Sequence, residues 1–486
     1  MYKRVARTLI TAAMFAAVSQ LALANPTADS ESKMNVVLLV VDDLGWSDLG
    51  YSGSDFYKTP HIDGLAKESL VFHQAYAAAP VCSPTRAAIM TGKSPARLDM
   101  TIWHEGAVQG GPTDRPLLPP PAVPNLPREE VTLAEHFREN GYLTAHLGKW
   151  HLGTAAFYPE TQGFDLNIGG TFWGAPSTFF HPFAGKWNAR DTQIRYVPGL
   201  KFGQPGDYLP DRLTDEAIEV IETAGNRPFF LNLWYYTVHS PIQAPKSLID
   251  QYRALKPGRH HKDPTYAAMV TRMDHNVGRV LAKLDEMKLS DRTVVVFVSD
   301  NGGVDFDQRS ILPTSNYPLR SGKGTLYEGG IRVPLLIRWP GAQSSETHEL
   351  TTSQDLFNTF TEMLGAPVPK DDSENEGTSL TPLLRDANSQ LPKRSLYWHF
   401  PHYYPRMTPA SAIRAGDWKL IHYYEDDRRE LYNLASDPGE QKELSKSHPS
   451  EANRLYVDLQ QWRERVGANT PTRNPHAPRE QPRPRG

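Results

Sequence analysis

Five nearly continuous runs of apolar residues divide the chain, at positions 35–41, 143–147, 229–238, 293–299 and 333–339. An alternation of apolar and polar residues indicates a strand that is buried on one face only. An unbroken apolar run is typical of a strand that is buried on both faces of a parallel sheet. We therefore predict that these runs form the strands of one sheet covered on both sides.

Helical periodicity lies between these runs. Residues 132–140 begin with the Thr-Leu-Ala-Glu pattern of a capping box and end at Gly141. Residues 263–287 place six apolar side chains on one face at helical spacing: Met269, Met273, Val277, Val280, Leu281 and Leu284. Strands that alternate with helices are typical of the α/β class, and predict a doubly wound, mostly parallel sheet flanked by helices.

The pattern changes after residue 390, where short strand-like pieces are separated by turn residues and followed by a helical pattern at 449–466. We predict a catalytic α/β domain over 25–390 and a smaller C-terminal antiparallel sheet with one helix over 391–469. Residues 470–486 are rich in Pro and Arg, which predicts a disordered tail. The sequence shows no internal repeat.

The N-terminus has the pattern of a secretory signal peptide. Lys3, Arg4 and Arg7 precede an apolar stretch that closes on Ala-Leu-Ala at 22–24, a site of the kind that signal peptidase cuts. We expect residues 1–24 to be removed and the protein to be exported, either periplasmic or secreted. No later stretch offers the roughly 18 consecutive apolar residues of a membrane span, so we expect no stable membrane insertion.

Composition narrows the classes of partner. The chain has 52 Lys and Arg against 55 Asp and Glu, a formal net charge of −3, which argues against nucleic acid as a partner. Exported proteins usually pair their cysteines in disulfides. Cys82 is the single cysteine, so it forms no internal disulfide. A leftover thiol of this kind is incidental, an intermolecular link or a reactive group.

Polar residues follow the apolar runs where predicted strands end. Asp42 and Asp43 come directly after the first run, Asp300 and Asn301 follow the run at 293–299, and His239 follows the run at 229–238. Such residues are also ordinary turn formers after strands. Because ligands of open α/β sheets bind at the carboxyl ends of the strands, the joint pattern favours a site for a hard divalent cation.

Cys82 is followed by Ser-Pro-Thr-Arg and by an Ala-Ala-Ile-Met stretch that continues as a helix. Pro84 suits the first turn, so Cys82 would stand at a helix N-terminus, where N–H groups and the helix dipole favour an anion. Arg86 lies one turn further along. A lone cysteine is usually a small buried apolar residue, but these neighbours favour a reactive role.

The Cys-x-Pro-x-Arg motif at 82–86, followed by Thr-Gly at 91–92, resembles the maturation and active-site signature of the type I sulfatases, which belong to the alkaline phosphatase superfamily. A second signature of that family, ending in Gly-Lys-Trp-His, is present at 141–151. The resemblance extends to Lys-Gly at 323–324 and to Glu-Gly-Gly-Ile-Arg-Val-Pro at 328–334. Two long signatures in the family's order imply an arylsulfatase-like enzyme with an alkaline phosphatase-like fold.

The resemblance implies that a separate maturase oxidises Cys82 to 3-oxoalanine (formylglycine), whose hydrate attacks sulfur. It places the ligands of one calcium ion on Asp42, Asp43, Asp300 and Asn301, with the group derived from Cys82 completing the shell. It also implies a role for each remaining catalytic residue. Arg86, Lys149 and Lys323 would be the cations around the sulfate and the aldehyde. His151 would be the histidine that contacts the hydrate, and His239 the histidine that faces the leaving oxygen.

The exported location and the aromatic-rich loops suggest a sulfated oligosaccharide or small molecule as substrate. The substrate candidates are loop residues of types that suit a sugar ring: Trp103, His104, His181 and His402, and beyond these Trp173, Trp187, His260, His261, His399 and Tyr403. Two alternatives stay open, a phosphonate monoester or phosphodiester hydrolase of the same superfamily and an inactive carbohydrate-binding relative. The general base and the sulfated position also stay open.

Overall fold

The computed structural model describes residues 33–188, 192–201, 203–306, 312–366 and 375–477. The predicted signal peptide at 1–24 therefore lies outside the described residues, as does the end of the predicted tail after residue 477. In the described ranges no helix has both the length and the apolar character needed to cross a membrane.

The strands are β1 (Asn35–Val41), β2 (Leu70–Phe72), β3 (Ala75–Tyr76), β4 (Leu117–Leu118), β5 (Leu143–Gly148), β6 (Leu166–Ile168), β7 (Ala184–Gly185), β8 (Arg195–Tyr196), β9 (Phe229–Trp234), β10 (Thr293–Ser299), β11 (Leu335–Arg338), β12 (Ser345–Thr347), β13 (Thr351–Thr352), β14 (Ser395–Phe400), β15 (Ala410–Ala415), β16 (Trp418–Tyr423), β17 (Arg429–Asn433) and β18 (Thr472–Arg473).

The α-helices are α1 (Pro60–Lys67), α2 (Cys82–Thr91), α3 (His104–Gln109), α4 (Leu133–Glu139), α5 (Leu209–Thr223), α6 (Lys246–Arg253), α7 (Pro264–Glu286), α8 (Glu328–Ile331), α9 (Asp355–Met363), α10 (Thr381–Arg385) and α11 (Pro449–Val466). Short 3₁₀ turns cover Ala155–Phe157, Pro159–Thr161 and Ser290–Arg292. The predicted capping box of α4 is formed, since Thr132 and Glu135 each bond the other's backbone N–H.

An eight-stranded sheet in the order β12-β2-β11-β10-β1-β9-β5-β6 forms the centre of the molecule. β1 pairs in parallel with both β10 and β9, and β5 pairs in parallel with β9 and β6. β11 runs antiparallel to β10 and β2. The prediction of a doubly wound, mostly parallel sheet is confirmed, and the apolar run at 333–339 contains its antiparallel member.

Helices cover both faces of this sheet. Successive residues of β1 alternate between two cores, with Val37, Leu39 and Val41 in one and Val36, Leu38 and Val40 in the other. The first core is closed by α1, α5, α6 and α7, and the second by α2, α4, α9 and α10. Every residue of β1 is buried, which explains why its sequence is continuously apolar.

The C-terminal region forms a four-stranded antiparallel sheet in the order β14-β15-β16-β17, with α11 packed on one face. Leu455, Leu459 and Trp462 of α11 contact this sheet, and the ring of Trp462 stacks on Tyr397 at a centroid distance of 4.9 Å. This element agrees with the small antiparallel sheet plus one helix that the sequence predicts.

The start of the predicted disordered tail is ordered. β18 pairs antiparallel with β4, and the Asn474 side chain donates hydrogen bonds to the carbonyl oxygens of Thr113 and Arg115, each at 2.8 Å. The prediction of disorder from residue 470 is therefore wrong for residues 470–477. These backbone groups find partners on a distant Pro-rich loop, which composition alone does not reveal.

Candidate active site

The carboxyl ends of β1 and β10 bring four oxygen-bearing side chains together. Val41 pairs with Ser299 in the parallel ladder, so the residues that follow each strand are neighbours. The backbone N–H of Asp43 donates to Asp300 Oδ1 at 3.1 Å, and Asn301 Nδ2 donates to Asp43 Oδ1 at 2.8 Å. These residues and Asp42 are buried. The structure thus assembles the predicted ligand set at one rim of the sheet.

Cys82 is the first residue of α2, and its side chain is buried beside this cluster. Its Sγ lies 3.5 Å from Asp42 Oδ1 and 3.4 Å from Lys323 Nζ. Val81 before it is extended, and Gly92 ends the helix in the left-handed region at φ 70°. Burial raises the pKa of the Cys82 thiol to about 12. The predicted nucleophile precursor therefore lies between a carboxylate and an ammonium group.

Three cations surround the carboxylates. Lys149 Nζ lies 2.6 Å from Asp42 Oδ2, and Lys323 Nζ lies 2.6 and 2.8 Å from the two oxygens of Asp43. Arg86 Nε donates a 2.9 Å hydrogen bond to Asp300 Oδ2, and its Nη2 lies 2.8 Å from the same oxygen. All three cations are buried, and each compensates one carboxylate.

The chemistry of the donor set fits a hard divalent cation. Ligand atoms of Asp42, Asp43, Cys82 and His239 all lie within 4.8 Å of one another. The amide nitrogen of Asn301 is committed to Asp43 and Gly302, while its buried Oδ1 accepts no hydrogen bond within the described residues. Oxygen-rich sites of this kind suit calcium or magnesium. The orphaned amide oxygen is the observation that most directly indicates a missing ligand partner.

The mutual repulsion of the buried carboxylates also favours a bound divalent cation. Burial raises the pKa of Asp42 to about 7, with Lys149 opposing the rise and Asp300 and Asp43 adding to it. At Asp43 burial acts in the same direction, but Lys323 and His239 outweigh it and hold the pKa of Asp43 below its ordinary range. Three carboxylates packed this closely favour an added cation.

Two of the predicted catalytic residues are histidines at the edges of the cluster. His239 Nδ1 donates to the Ser240 carbonyl at 2.7 Å, and its Nε2 lies 3.6 Å from Asp43 Oδ2. His151 has a positive φ of 61°, and its carbonyl oxygen accepts a 2.7 Å hydrogen bond from Ser83 Oγ. The side chain of His239 therefore lies close to Asp43, and the backbone of His151 is hydrogen-bonded to Ser83 in the first turn of α2.

Glu105 on α3 is a site residue that sequence reasoning misses. Its Oε2 lies 2.6 Å from Nε2 of His151, and both side chains are largely buried. The two residues are 46 positions apart, so no local spacing links them. The available signal is its position next to Trp103 and His104, both of which the sequence marks as substrate candidates.

The four principal substrate candidates have different surroundings. The backbone N–H of His104 donates to Ser83 Oγ at 3.2 Å, which places His104 beside the start of α2. Trp103 packs edge-on against Tyr404. His402 is buried, with Nε2 2.7 Å from Thr101 Oγ1. His181 packs edge-on against Phe183. Substrate contact by these residues stays a prediction.

Of the six remaining substrate candidates, three make polar contacts within the protein and three make contacts through their rings. His261 is buried against Asp48 and Asp55, His399 against Ser411, and Tyr403 bonds Glu425. These contacts occupy their polar atoms within the protein. His260 stacks on Tyr317 at 3.8 Å, and the guanidinium of Arg195 lies 4.9 Å from the ring centroid of Trp173 and 4.3 Å from that of Trp187.

Tyr404 is a second residue that the sequence does not single out. Its ring packs on Gly324, next to Lys323, and contacts Trp103 and Phe306 edge-on. Gly324 has φ 81°, and a Cβ there would lie 1.9 Å from the Tyr404 ring. Glycine is therefore required at this position, and it brings an aromatic wall close to the cation that contacts Cys82.

Comparison with known proteins identifies the family. The model of the family described as Sulfatase matches residues 34–366, and a model described as N-sulphoglucosamine sulphohydrolase, C-terminal, matches residues 321–465. The chain belongs to the sulfatase family. It is accordingly a sulfuric ester hydrolase in the alkaline phosphatase superfamily, and the resemblance stated from its two signatures is confirmed.

Relatives are similar over most of their length. A sulfatase of Formosa agariphila is 32% identical, with 93% of this chain and 92% of that protein covered. Human arylsulfatase A is 31% identical over 84% of this chain and 83% of its own. Human N-acetylgalactosamine-6-sulfatase is 30% identical over 85% and 81%.

Solved structures that resemble this sulfatase match its fold over most of both chains. The crystal structure of Ps i-CgsB has a TM-score of 0.74 and 29% identity, and covers 92% of this chain and 95% of its own. A second structure of that protein is a complex with k-i-k-neocarrahexaose. The phosphonate monoester hydrolase of Agrobacterium radiobacter shares the fold, with a TM-score of 0.65 at 17% identity and coverage of 89% and 96%.

Proposed function

We propose that this sulfatase removes sulfate from sulfated carbohydrates, using formylglycine formed from Cys82 and one calcium ion. The family supplies the reaction class, and the cofactors and the substrate class are the proposal. The observation that carries it is the position of Cys82 Sγ, 3.5 Å from Asp42 Oδ1 and 3.4 Å from Lys323 Nζ. An incidental buried thiol has no reason to lie between a potential metal ligand and a cation.

Asp42, Asp43, Asp300 and Asn301 would hold the calcium ion, with the residue derived from Cys82 beside it. When present, calcium would polarise the sulfuryl oxygens as a Lewis acid, and the formylglycine hydrate would supply the hydroxyl that attacks sulfur. The buried, unpartnered Oδ1 of Asn301 supports this assignment, as does the crowding of the three carboxylates.

Arg86, Lys149 and Lys323 would offset negative charge on the sulfuryl group. Their charges balance those of the three aspartates one for one. A divalent cation added to this set leaves the pocket with surplus positive charge, which favours an anionic sulfate ester and its transition state. Preorganised charge of this kind is often the largest contribution to catalysis in a buried site.

Lys323 or His239 would protonate the departing oxygen, a step that typically contributes about 10²–10⁴-fold. His239 donates Nδ1–H to a backbone carbonyl, which orients Nε2 toward Asp43. His151 would accept a proton from a hydroxyl group in the site. A metal-bound carboxylate is the other candidate for that base.

A carbohydrate substrate is supported by the aromatic surroundings and by one relative. Trp103 and Tyr404 contact each other next to Lys323, and both are only partly buried, so these aromatic rings suit contact with a sugar. Ps i-CgsB has been crystallised in complex with k-i-k-neocarrahexaose, and that structure is 28% identical to this chain. We further propose that the chain is exported through residues 1–24 and is matured at Cys82 by a formylglycine-generating enzyme.

The proposal is tested with purified protein co-produced with a maturase. It is assayed on an aryl sulfate, an aryl phosphodiester and a panel of defined sulfated oligosaccharides. We expect sulfate release from the aryl sulfate and from at least one oligosaccharide, at rates above that of phosphodiester cleavage. Faster phosphodiester cleavage would identify a phosphonate or phosphodiester hydrolase instead. Oligosaccharide binding without turnover would identify an inactive relative.

A further inference from the structure

The Glu105 carboxylate contacts His151, Gly174 and Arg195. Oε2 lies 2.6 Å from His151 Nε2, and Oε1 accepts the N–H of Gly174 at 3.1 Å. The guanidinium of Arg195 lies 3.8 Å from Oε1. The orientation of the carboxylate is therefore fixed by neighbours other than the histidine, as expected of a group that orients its partner.

These contacts determine which ring nitrogen of His151 carries hydrogen. Burial acts to raise the pKa of Glu105, but His151 and the backbone donors outweigh it and hold that pKa below its ordinary range. An ionised carboxylate only accepts hydrogen bonds, so Nε2 must donate. Burial lowers the pKa of His151 to about 4 against the attraction of Glu105, with Lys149 and His104 also lowering it. The ring is therefore neutral near pH 7, with its lone pair on Nδ1.

Within the described residues, the Nδ1 atom of His151 has no hydrogen-bond partner. It is buried, and no group among the described residues donates a hydrogen bond to it. Gly174 packs on the ring so closely that a Cβ at that position would lie 2.5 Å from His151 Cε1. Glu105 and Gly174 therefore fix the position of the ring, while Nδ1 is a strong acceptor for which the described residues supply no donor.

We propose that Glu105 is a positioning residue, which holds His151 as the Nε2–H tautomer and presents the Nδ1 lone pair to a hydroxyl proton in the active site. The inference rests on the proposed function, in which His151 is the acceptor of that proton. The proton moves from the hydroxyl oxygen to Nδ1, and the resulting imidazolium keeps its Nε2–H bonded to Glu105. Glu105 stays ionised throughout and stabilises the positive charge on the ring.

Kinetics of Glu105→Gln provide the first test. The amide keeps the shape of the side chain but can donate to Nε2 as well as accept from it, so the tautomer is no longer fixed. We expect kcat on an aryl sulfate to fall by about 10–100-fold with little change in KM. Asp114→Asn is the matched control, because it removes one exposed negative charge from the same part of the chain and should leave kcat unchanged.

A double-mutant cycle separates positioning from a structural role. If Glu105 acts through His151, then Glu105→Gln in a His151→Ala background should change kcat by less than about twofold, because the interacting partner is already absent. An equal loss in both backgrounds would overturn the proposal. So would an unchanged kcat in Glu105→Gln itself.

Nitrogen NMR of histidine-labelled protein tests the tautomer without any need for turnover. The chain has 17 histidines, and His151→Gln identifies the resonances of His151. We expect the Nε2–H form in wild type and in Asp114→Asn, and a changed tautomer population in Glu105→Gln. An Nδ1–H form in wild type would overturn the proposal even in an active sulfatase. The expected tautomer in a protein that hydrolyses no sulfate would contradict the proposed function alone.

Discussion

At the scale of single residues, two buried acceptor atoms of the site have no hydrogen-bond donor among the described residues. Asn301 commits its amide nitrogen to Asp43 and leaves its buried oxygen without a donor among the described residues. His151 commits Nε2 to Glu105 and leaves Nδ1 in the same condition. Unsatisfied buried acceptors are uncommon in folded proteins, so two of them in one site indicate where a cation and a proton donor belong.

Asn301→Ala should weaken calcium activation, since it removes an oxygen ligand but leaves the three carboxylates in place. We expect the calcium concentration for half-maximal activity of chelator-treated enzyme to rise at least about tenfold, in line with the loss of one good ligand interaction. Asn388→Ala, at an exposed position, is the control and should titrate like wild type. An unchanged calcium requirement in Asn301→Ala would remove this residue from the ligand set.

At the scale of elements, most of the proposed catalytic and metal-binding residues follow a strand end or lie at a helix start, in positions that the sequence pattern predicts, while Lys323 lies between β10 and α8. The unbroken apolar runs of β1 and β10 predict both strands correctly, because both are buried on two faces. The direction of β11 and the short strands β2 and β12 are not predictable in this way, since their pairing depends on residues far apart in sequence. The pairing of Glu105 with His151 is hidden for the same reason.

Gly148 tests how the packing of β5 against β9 positions Lys149, the next residue in the chain. It has φ 96°, and a Cβ there would lie 2.0 Å from the carbonyl oxygen of Trp234 in the adjacent strand. Gly141 has φ 82° and open space around it. Both Ala variants lose about 1–2 kcal/mol from the left-handed backbone, and Gly148→Ala should lose about 1–3 kcal/mol more from the clash. Urea unfolding measures the difference.

Activity provides a second comparison between these two variants. Gly148→Ala should also reduce sulfatase activity, because Lys149 is the next residue, whereas Gly141→Ala should retain it. Equal stability and equal activity in the two variants would contradict the described packing of β5 against β9.

His399 links β14 to the segment after α11 and should make stability pH-dependent. Its ring nitrogens lie 2.7 Å from Ser411 Oγ and 2.9 Å from the Asn469 carbonyl oxygen, and burial lowers the pKa of His399 to about 4. Because the folded-state pKa is below the unfolded value, the stabilisation is complete above about pH 6.5 and is lost as pH falls toward 4.

The expected loss at the acid end is up to about 3 kcal/mol. Urea midpoints measured between pH 7 and 4.5 should fall less steeply in His399→Gln than in wild type. His348→Gln, at an exposed position, should follow the wild-type slope. Identical slopes in wild type and His399→Gln would show that His399 does not titrate in this range.

At the scale of the whole molecule, a buried ionic cluster joins the α/β domain to the C-terminal sheet. Lys419 on β16 lies 2.9 Å from Glu328 Oε1 and 2.9 Å from Glu440 Oε1, and all three side chains are buried. Tyr76 donates a 2.7 Å hydrogen bond to the other oxygen of Glu328. Arg332 and Arg414 lie 3.7 and 3.8 Å from that same oxygen, so Lys419 is the cation that contacts both carboxylates, while Glu328 has further cations nearby.

Lys419→Met should destabilise the protein strongly, because it removes the ammonium group that contacts both buried carboxylates, Glu328 and Glu440. The expected loss of unfolding free energy is about 3–5 kcal/mol, measured by urea denaturation at pH 7. Lys442→Met, at an exposed position, should change stability by less than about 0.5 kcal/mol. A loss below about 1 kcal/mol in Lys419→Met would mean that the cluster contributes little to joining the two parts.

The central claim is that this sulfatase releases sulfate through the residue formed from Cys82. The most direct measurement is sulfate release from an aryl sulfate by protein co-produced with a maturase, alongside Cys82→Ala and with peptide mass spectrometry of residue 82. We predict an aldehyde at residue 82 in the wild-type protein. This protein should release sulfate in proportion to the aryl sulfate consumed, and Cys82→Ala should show only background release. Wild-type turnover by Cys82→Ala, or no release by protein that carries the aldehyde, would contradict the account.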